Sequence, residues 1–331
     1  MSPSPTGAPR VSVLMPVYNG AATLERAVDS ILGQSFSDFE VLLHDDGSQD
    51  GSAALIDTLL RRDDRLRASR FAVNRGLGAA MAHLAELARG EYLAIQEQDD
   101  VSLPDRLAAE VAVLDAEPEV GLVSGIAEWV DETGEGSRRF PGRLASGQQY
   151  PQDREAMVRY LYLEQCKVVN AGALFRRAVL SPPAAAAAGA ARVPIFFDPE
   201  ARMSVDWQFF LRLAHHWRIH GLPRVVVRMD RGAQRDSLTR RKDLQFAEAR
   251  RCLRRLYREL ADSPASPIDR GLYRRALATE LLLEGRFWGG WRGLGRLLLA
   301  LCCDPGRRDA WTSLGELAGR GGRRLWPGAA R

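Results

Sequence analysis

Over the first 125 residues, short apolar runs alternate with amphipathic segments. Val11–Val17 (VSVLMPV) is apolar and rich in β-branched residues, which predicts a buried strand. Tyr18-Asn19-Gly20 turns the chain, and Ala22–Leu32 then sets Leu24, Ala27, Val28 and Ile31 on one helical face. The cycle repeats. Strand Glu40–Leu43 closes on His44-Asp45-Asp46-Gly47-Ser48, and helix Ser52–Leu60 follows with Ala54, Leu55 and Leu59 as its apolar face. Strand Leu66–Phe71 precedes helix Gly76–Ala88, strand Tyr92–Ile95 precedes helix Leu103–Leu114, and Val120–Ser124 is the fifth strand. Such alternation predicts an α/β fold with a doubly wound sheet. Ligands in such sheets bind beyond the carboxyl ends of the strands. Three polar clusters fall at those ends: Tyr18-Asn19, Asp45-Asp46, and Glu97, Asp99 and Asp100.

After residue 125 the alternation stops. Ala127–Gly136 reads as a hairpin turning at Glu132-Thr133-Gly134. Arg154–Leu163 reads as a helix and Val168–Phe175 as a small-residue strand. Ser181–Ala191 (SPPAAAAAGAA) is low-complexity and reads as a surface loop. A helix headed by Asp206 carries Trp207, Phe210, Leu211 and Ala214 as its stripe, and an Asp so placed is an N-cap candidate. Residues 221–240 read as a strand and loop, with Arg228, Asp230 and Arg231 at the strand end. From about Asp243 the pattern is helical. The stretch Leu281–Ala318 interleaves Trp288, Trp291 and Trp311 with Arg286, Arg292 and Arg296, which suits an interfacial amphipathic helix or a helical hairpin. The expected organisation is a disordered stretch over 1–10, an α/β domain over 11–235 that divides near 124, and a helical region over 236–331.

Charge sharpens that division. Residues 241–331 hold 19 Lys/Arg against 10 Asp/Glu, a net of +9, so residues 1–240 carry −5 of the overall +4. An acidic front and an Arg-rich tail are surfaces for different partners: the tail suits an anionic membrane or another acidic surface, or is simply a solvated helical face. Nothing in the pattern points to nucleic acid. Residues 1–10 lack the apolar core of a signal peptide, and no uncharged apolar run reaches 18 residues. The four cysteines (Cys166, Cys252, Cys302, Cys303) show no metal-ligand spacing. A reducing cytoplasm is the expected location, with attachment to the inner face of the membrane through the tail.

The chemistry centres on Tyr92–Leu107 (YLAIQEQDDVSLPDRL), where an apolar run ends on Glu97, Asp99 and Asp100. Burying unpaired carboxylates is costly, so these acids either bind a cation or form a solvated turn. Hard divalent ions such as Mg²⁺ or Mn²⁺ take carboxylate oxygens and bridge to phosphates. Gly76-Leu77-Gly78-Ala79-Ala80-Met81 begins like a dinucleotide fingerprint but lacks the third Gly and sits at the third helix. No G-x-x-x-x-G-K-[ST] loop is present. Phosphate, if bound here, is held through metal rather than by a Gly-rich cradle.

Four segments in order carry a family resemblance: VSVLMPVYNG, EVLLHDDGSQDGS, NRGLGAAMAHLAELARGEYLAIQEQDDVSLPDRL and FFDPEARMSVDWQFFLRLA. Together they resemble the family-2 glycosyltransferases over roughly residues 10–235. The resemblance implies the nucleotide-sugar-binding fold called GT-A, with 11–124 as the nucleotide-sugar half and 125–235 as the acceptor half. It implies that Pro16, Val17 and Tyr18 line the nucleotide pocket, with Tyr18 beside the base. Asp45 or Asp46 would accept a hydrogen bond from the base or ribose, and Gly76 would let the backbone approach it. Glu97 and Asp99 occupy the D-x-D positions with Gln98 between them, and Asp99 is the metal-holding one. Asp206 would be the general base.

The implied activity is metal-assisted transfer, with inversion, from a UDP, GDP or dTDP sugar to a hydroxyl of a glycan or lipid-linked glycan, such as a cell-surface polysaccharide precursor. Four positions depart from the family pattern. Glu97 replaces an Asp, Val205 precedes Asp206 where Glu is common, and Asp230 and Asn170 stand where relatives often carry His; Asp230 is then the expected further metal ligand. These departures motivate an alternative, a catalytically inactive protein that binds nucleotide sugar or glycan as a scaffold. A sugar-phosphate nucleotidyltransferase would need a Gly-rich basic loop after the first strand, and PVYNGAATLE stands there instead.

Overall fold

The computed structural model describes residues 7–130, 136–164, 167–180, 193–230, 242–263 and 266–325. Every residue of β1 (Val11–Val17) except Pro16 is buried, as a central strand covered on both faces requires. In chain order there follow α1 (Leu24–Leu32), β2 (Phe39–Asp45), α2 (Ser52–Leu59), β3 (Leu66–Arg70), α3 (Leu77–Leu87), β4 (Tyr92–Ile95), β5 (Asp100–Ser102), α4 (Arg106–Ala116) and β6 (Val120–Val130). The second part holds β7 (Gly136–Phe140), α5 (Arg154–Glu164), β8 (Ala173–Arg176), α6 (Val205–Ala214) and β9 (Arg218–Asp230). Four helices end the described chain: α7 (Lys242–Leu260), α8 (Arg270–Trp288), α9 (Gly290–Cys303) and α10 (Arg308–Leu325).

The strands form one mixed sheet in the order β3-β2-β1-β4-β8-β6-β9-β5, with β7 paired to β6. β3, β2, β1 and β4 are parallel. β8 then inserts antiparallel between β4 and β6, and β5 runs antiparallel to β9. Val17 faces Asp45 across β1 and β2, and Leu14 faces Ile95 across β1 and β4. That register brings the three polar clusters to one edge, as the alternation predicts.

The helix faces follow the apolar spacing closely on α1, where Leu24, Ala27, Val28 and Ile31 are buried. α2 differs. It buries Ser52, Ile56 and Leu59, while Ala54 is exposed and Leu55 only partly covered. Ser52 turns inward because its hydroxyl accepts the Gly20 N–H (2.8 Å), which rotates the helix away from the expected face. The expected strand Val168–Phe175 is shorter, with a 3₁₀ turn at Asn170–Gly172 before β8. A Cβ on Gly172 would come within 2.8 Å of the Val226 side chain, so the turn is packed tightly against β9. β6 and β7 pair antiparallel, and the turn expected at Glu132-Thr133-Gly134 lies outside the described residues, as does the loop expected at Ser181–Ala191. α6 is more buried than its stripe predicts: Val205 and all residues from Trp207 to Ala214 are covered. It is a core helix, and the Trp207 indole donates to the Leu161 carbonyl (2.8 Å).

The chain divides into two compact units, Met1–Leu161 with Gln165–Asp236, and Tyr162–Glu164 with Ser237–Arg331. The sheet and its helices make the first. In the second, Leu281, Leu282, Leu297, Ala300, Leu301 and Ala310 form a core among α8, α9 and α10. The stretch Leu281–Ala318 is therefore a hairpin and a third helix rather than a single helix. Gly289 and Gly290, at φ +58° and +53°, make the break in a backbone region that favours glycine.

His44, next to last in β2, is fully buried against Phe71 and His83 and contacts Ser69 Oγ through Nδ1 (2.8 Å). Burial, reinforced by His83, pushes its pKa down to about 4. The folded state therefore refuses a proton that the unfolded chain accepts near pH 6.5, so this contribution is complete above that pH and is lost as pH falls towards 4. Urea unfolding at pH 7.5 and pH 5 should show the wild type losing roughly 1–2 kcal/mol more than His44→Asn across that interval.

Candidate active site

The loops at the sheet edge are built by their own polar side chains. Asn19, at φ +50°, donates its N–H to Ser48 Oγ (2.9 Å) and accepts from the Gln49 N–H (2.8 Å). Asp50 accepts from the N–H groups of Ser52 (2.9 Å) and Ala21 (3.1 Å). Asp45 is buried, with Oδ1 accepting from the Ser48 N–H (2.9 Å) and Oδ2 paired to Arg70 (3.0 Å). Asp46 reaches the start of α3, where its two oxygens accept the N–H groups of Arg75 and Gly76 (2.8 Å each). Gly76 sits at φ +94°, which explains the glycine there. Two residues on, Gly78 meets a different constraint, since a Cβ there would run into the Asp198 carbonyl.

Beyond β4 the chain makes an acidic loop. Carboxylate oxygens of Glu97, Asp99 and Asp100 all lie within 4.8 Å of one another. The loop is tied to β1 by Gln98, whose side chain accepts the Tyr18 N–H (2.9 Å) and donates to the Tyr18 carbonyl (3.0 Å). It is held from beneath by Arg106, which is fully buried at the start of α4. Arg106 donates to Gln96 Oε1 (3.1 Å), Ser102 Oγ (2.9 Å), and the carbonyls of Ile95 (2.8 Å) and Ala173 (3.2 Å). Its Nε faces the buried Glu110 at 3.2 Å. Gln96 spends its amide on the carbonyls of Glu97 (3.0 Å) and Asp100 (2.8 Å). The loop that displays the acids is thus clamped at both ends.

Two further elements reach this loop. Asn170, in the 3₁₀ turn, donates to Glu97 Oε1 (2.7 Å). Asp206, the second residue of α6, is close enough to act on Glu97 electrostatically. Burial, then Asp99, raise the Glu97 pKa to about 7; Asn170 opposes them and Asp206 adds a smaller push. Burial and a like charge nearby both favour the protonated form of Glu97. An oxygen-only set of this kind suits Mg²⁺ or Mn²⁺. Asp206 is not the N-cap. That position is Ser204, at φ +56°, so Asp206 falls in the first turn near the positive end of the helix dipole.

The expected site residues therefore meet at one edge from β1 (Pro16, Val17, then Tyr18), β2 (Asp45, Asp46), α3 (Gly76), the loop after β4 (Glu97, Gln98, Asp99) and α6 (Asp206). Tyr18 is 43% exposed there. The backbone of Asp230 ends β9 one residue beyond Met229, which pairs with Asp100; its side chain lies outside the described residues. The structure keeps Asp100 with Glu97 and Asp99, as their place at the end of the apolar run suggests, while the roles of Arg106 and Gln96 were missed from sequence. The available signal was the Arg106/Glu110 spacing of four within the otherwise apolar helical face Leu107, Val111 and Leu114.

The family model of Glycosyl transferase family 2 matches residues 12–181. EpsE of Bacillus subtilis (strain 168) is 34% identical over 146 residues, 42% of this chain and 52% of that protein. Glycosyltransferase GlyG of Streptococcus pneumoniae serotype 4 is 32% identical over 114 residues, 34% of this chain and 38% of that one. The chain spans about half or less of the length of these curated relatives. Among solved structures, S. aureus TarS 1-349 in complex with UDP-GlcNAc superposes with a TM-score of 0.63 at 16% identity, over 94% of this chain and 92% of that chain. Mannosyltransferase PcManGT from Pyrobaculum calidifontis in complex with GDP-Man and Mn²⁺ gives 0.54 at 19%, over 98% and 89%. These likenesses show the fold, which is that of the GT-A glycosyltransferases.

Arg106→Leu leaves Glu110 buried without its cation and should cost about 3–5 kcal/mol in urea unfolding. Adding Glu110→Leu should recover most of that loss. The double variant should still show faster amide hydrogen exchange over residues 96–102 than wild type, because Gln96 and Ser102 lose the guanidinium that positions the loop.

Proposed function

The chain belongs to glycosyl transferase family 2, and from that premise we propose that it moves a sugar from a nucleotide-diphosphate donor to a hydroxyl acceptor, with inversion at the anomeric carbon. The observation that carries this reading is the meeting of Glu97, Asp99 and Asp100 within 4.8 Å at the strand edge where Asp206 also acts. One side supplies oxygen ligands and the other a base. Asp99, Glu97 and Asp100 would hold a divalent cation, with Asp230 as a further candidate ligand. Such a cation, when bound, supplies the charge that neutralises the departing diphosphate.

The chain's own groups account for the rest. Tyr18 offers an exposed ring at the end of β1 against which a base can stack. Asp45 and Asp46 keep acceptor capacity beside their backbone partners, since a carboxylate oxygen takes more than one hydrogen bond. Through Asp46 a bound base or ribose would also be linked to Gly76 and α3. Asp206 takes the proton of the acceptor hydroxyl as that oxygen attacks the anomeric carbon; a neutral hydroxyl is a poor nucleophile without such help. A single base opposite the leaving diphosphate gives direct displacement, hence inversion. The acceptor is a hydroxyl of a glycan or lipid-linked glycan.

Thermal unfolding with UDP, GDP and dTDP, each with and without Mn²⁺, identifies the donor class. A nucleotide at 100 times its dissociation constant adds about 2.7 kcal/mol and should raise the melting temperature for one base. The shift should shrink in Asp99→Asn. Asp206→Asn should keep donor affinity within about threefold while turnover falls by about 10²–10⁴-fold. Absence of any nucleotide shift in folded protein overturns the proposal. Binding without turnover in the wild type, across acceptors, would favour the scaffold alternative.

A further inference from the structure

The second unit contains a helix with two apolar faces and only one of them covered. In α9, Gly293, Leu297, Ala300 and Leu301 are buried against the helical core. The opposite positions Trp291, Gly295, Leu298, Leu299 and Cys302 follow helical spacing as well, and all are exposed. Trp291 is 82% exposed, and Leu298 and Leu299 are half exposed. Scattered exposed apolar residues need no explanation, but a continuous stripe of them on one helix face does.

We propose that this face of α9 lies in the plane of an anionic lipid bilayer. The charge pattern selects that occupant. The α9 sequence GWRGLGRLLLALCC contains no acid. Arg296 turns away to pair with Glu284 (3.1 Å), whereas Arg292 remains on the open side, 5.2 Å from the Trp288 ring. At the far end Arg274 donates to the Cys302 carbonyl (3.0 Å), so cations stand at both ends of the stripe. A Trp flanked by Arg above an aliphatic stripe suits the headgroup boundary, where lipid phosphates meet acyl chains.

Length argues against a membrane crossing, and area and charge argue against a second copy. Fourteen residues of helix span about 21 Å, short of the ~30 Å hydrocarbon core, so the helix lies along the surface rather than crossing it. No helix among the described residues is long and apolar enough to cross a membrane. The stripe offers roughly a few hundred Å², against about 800 Å² per partner in a stable protein interface. A second copy would also bring two regions of net +9 together. A bilayer imposes neither cost. This inference is independent of the donor chemistry and stands or falls separately from it.

Flotation of the full chain with vesicles tests the proposal, comparing phosphatidylcholine alone with about 7:3 phosphatidylcholine and phosphatidylglycerol. The wild type should float with the mixed vesicles, less with the neutral ones, and less in high salt. Combined Trp291→Ala, Leu298→Gln and Leu299→Gln should lower partitioning about tenfold or more, with the melting temperature and nucleotide binding unchanged. Arg292→Glu, at an exposed position that leaves the core intact, should also weaken binding to the anionic vesicles. The proposal is overturned if the wild type stays with the unfloated fraction, or if the triple variant floats as the wild type does. It is equally overturned if size-exclusion chromatography shows a dimer that the triple variant splits, since a second copy would then cover the stripe.

Discussion

The acidic loop depends on one buried cation. The Arg106 guanidinium is fully covered, and it distributes its donors among two backbone carbonyls, Gln96, Ser102 and Glu110. An ion so buried is tolerated only when its donors are satisfied and an opposite charge stands nearby. That requirement works in reverse as a constraint on the chain. The ends of β4 and β8, the loop 96–102 and the start of α4 all hold the geometry that Arg106 needs. Even so, burial keeps the Glu110 pKa up at about 7 against the pull of Arg106, so the pair is not a strong source of stability. Its value lies in specifying where the loop goes.

Above that anchor the molecule gathers charges that repel. Glu97, Asp99 and Asp100 would separate if they were free to do so. Gln98 prevents it on the β1 side and Gln96 on the α4 side. Asn170 partly offsets the crowding by donating to Glu97, a role that a neutral amide performs without adding a proton equilibrium of its own. On the proposed function, such a held cluster would be ready to receive a divalent cation. The strand-end loops use the same economy: Asp45, Asp46 and Asp50 build the turns from which the site projects.

The two units solve different problems with different composition. The sheet unit is acidic overall and concentrates its chemistry at one edge. The helical unit is strongly basic and keeps its acids for internal pairs, such as Glu284 with Arg250 and Arg296. In α9 the apolar residues outnumber what the local core can bury. The surplus is displayed on one side, with arginines at its ends.

Much of this was legible from residue order. The short apolar runs and helical spacings gave β1, α1, β2, β4 and the shared polar edge, because local burial patterns are written in consecutive residues. The acids at 97, 99 and 100 were visible as charge at the end of an apolar run. Other features depended on contacts between residues far apart in sequence. Ser52 faces inward only because Gly20 lies above it, and Val168–Phe175 breaks into a turn and a short strand only because β9 packs against Gly172. β5 is three residues long and exists through its pairing with β9, more than a hundred residues away. Arg106 carries only a faint local signal, its spacing of four from Glu110 on an apolar face, and that spacing does not announce that the helix start will be enclosed by β4 and β8. Asp206 looked like a helix cap, and tertiary structure placed it instead in the first turn, within electrostatic reach of Glu97. Sequence determined which residues are apolar, charged or permissive of a turn. Folding decided which of them meet, because burial and charge pairing are properties of neighbours in space.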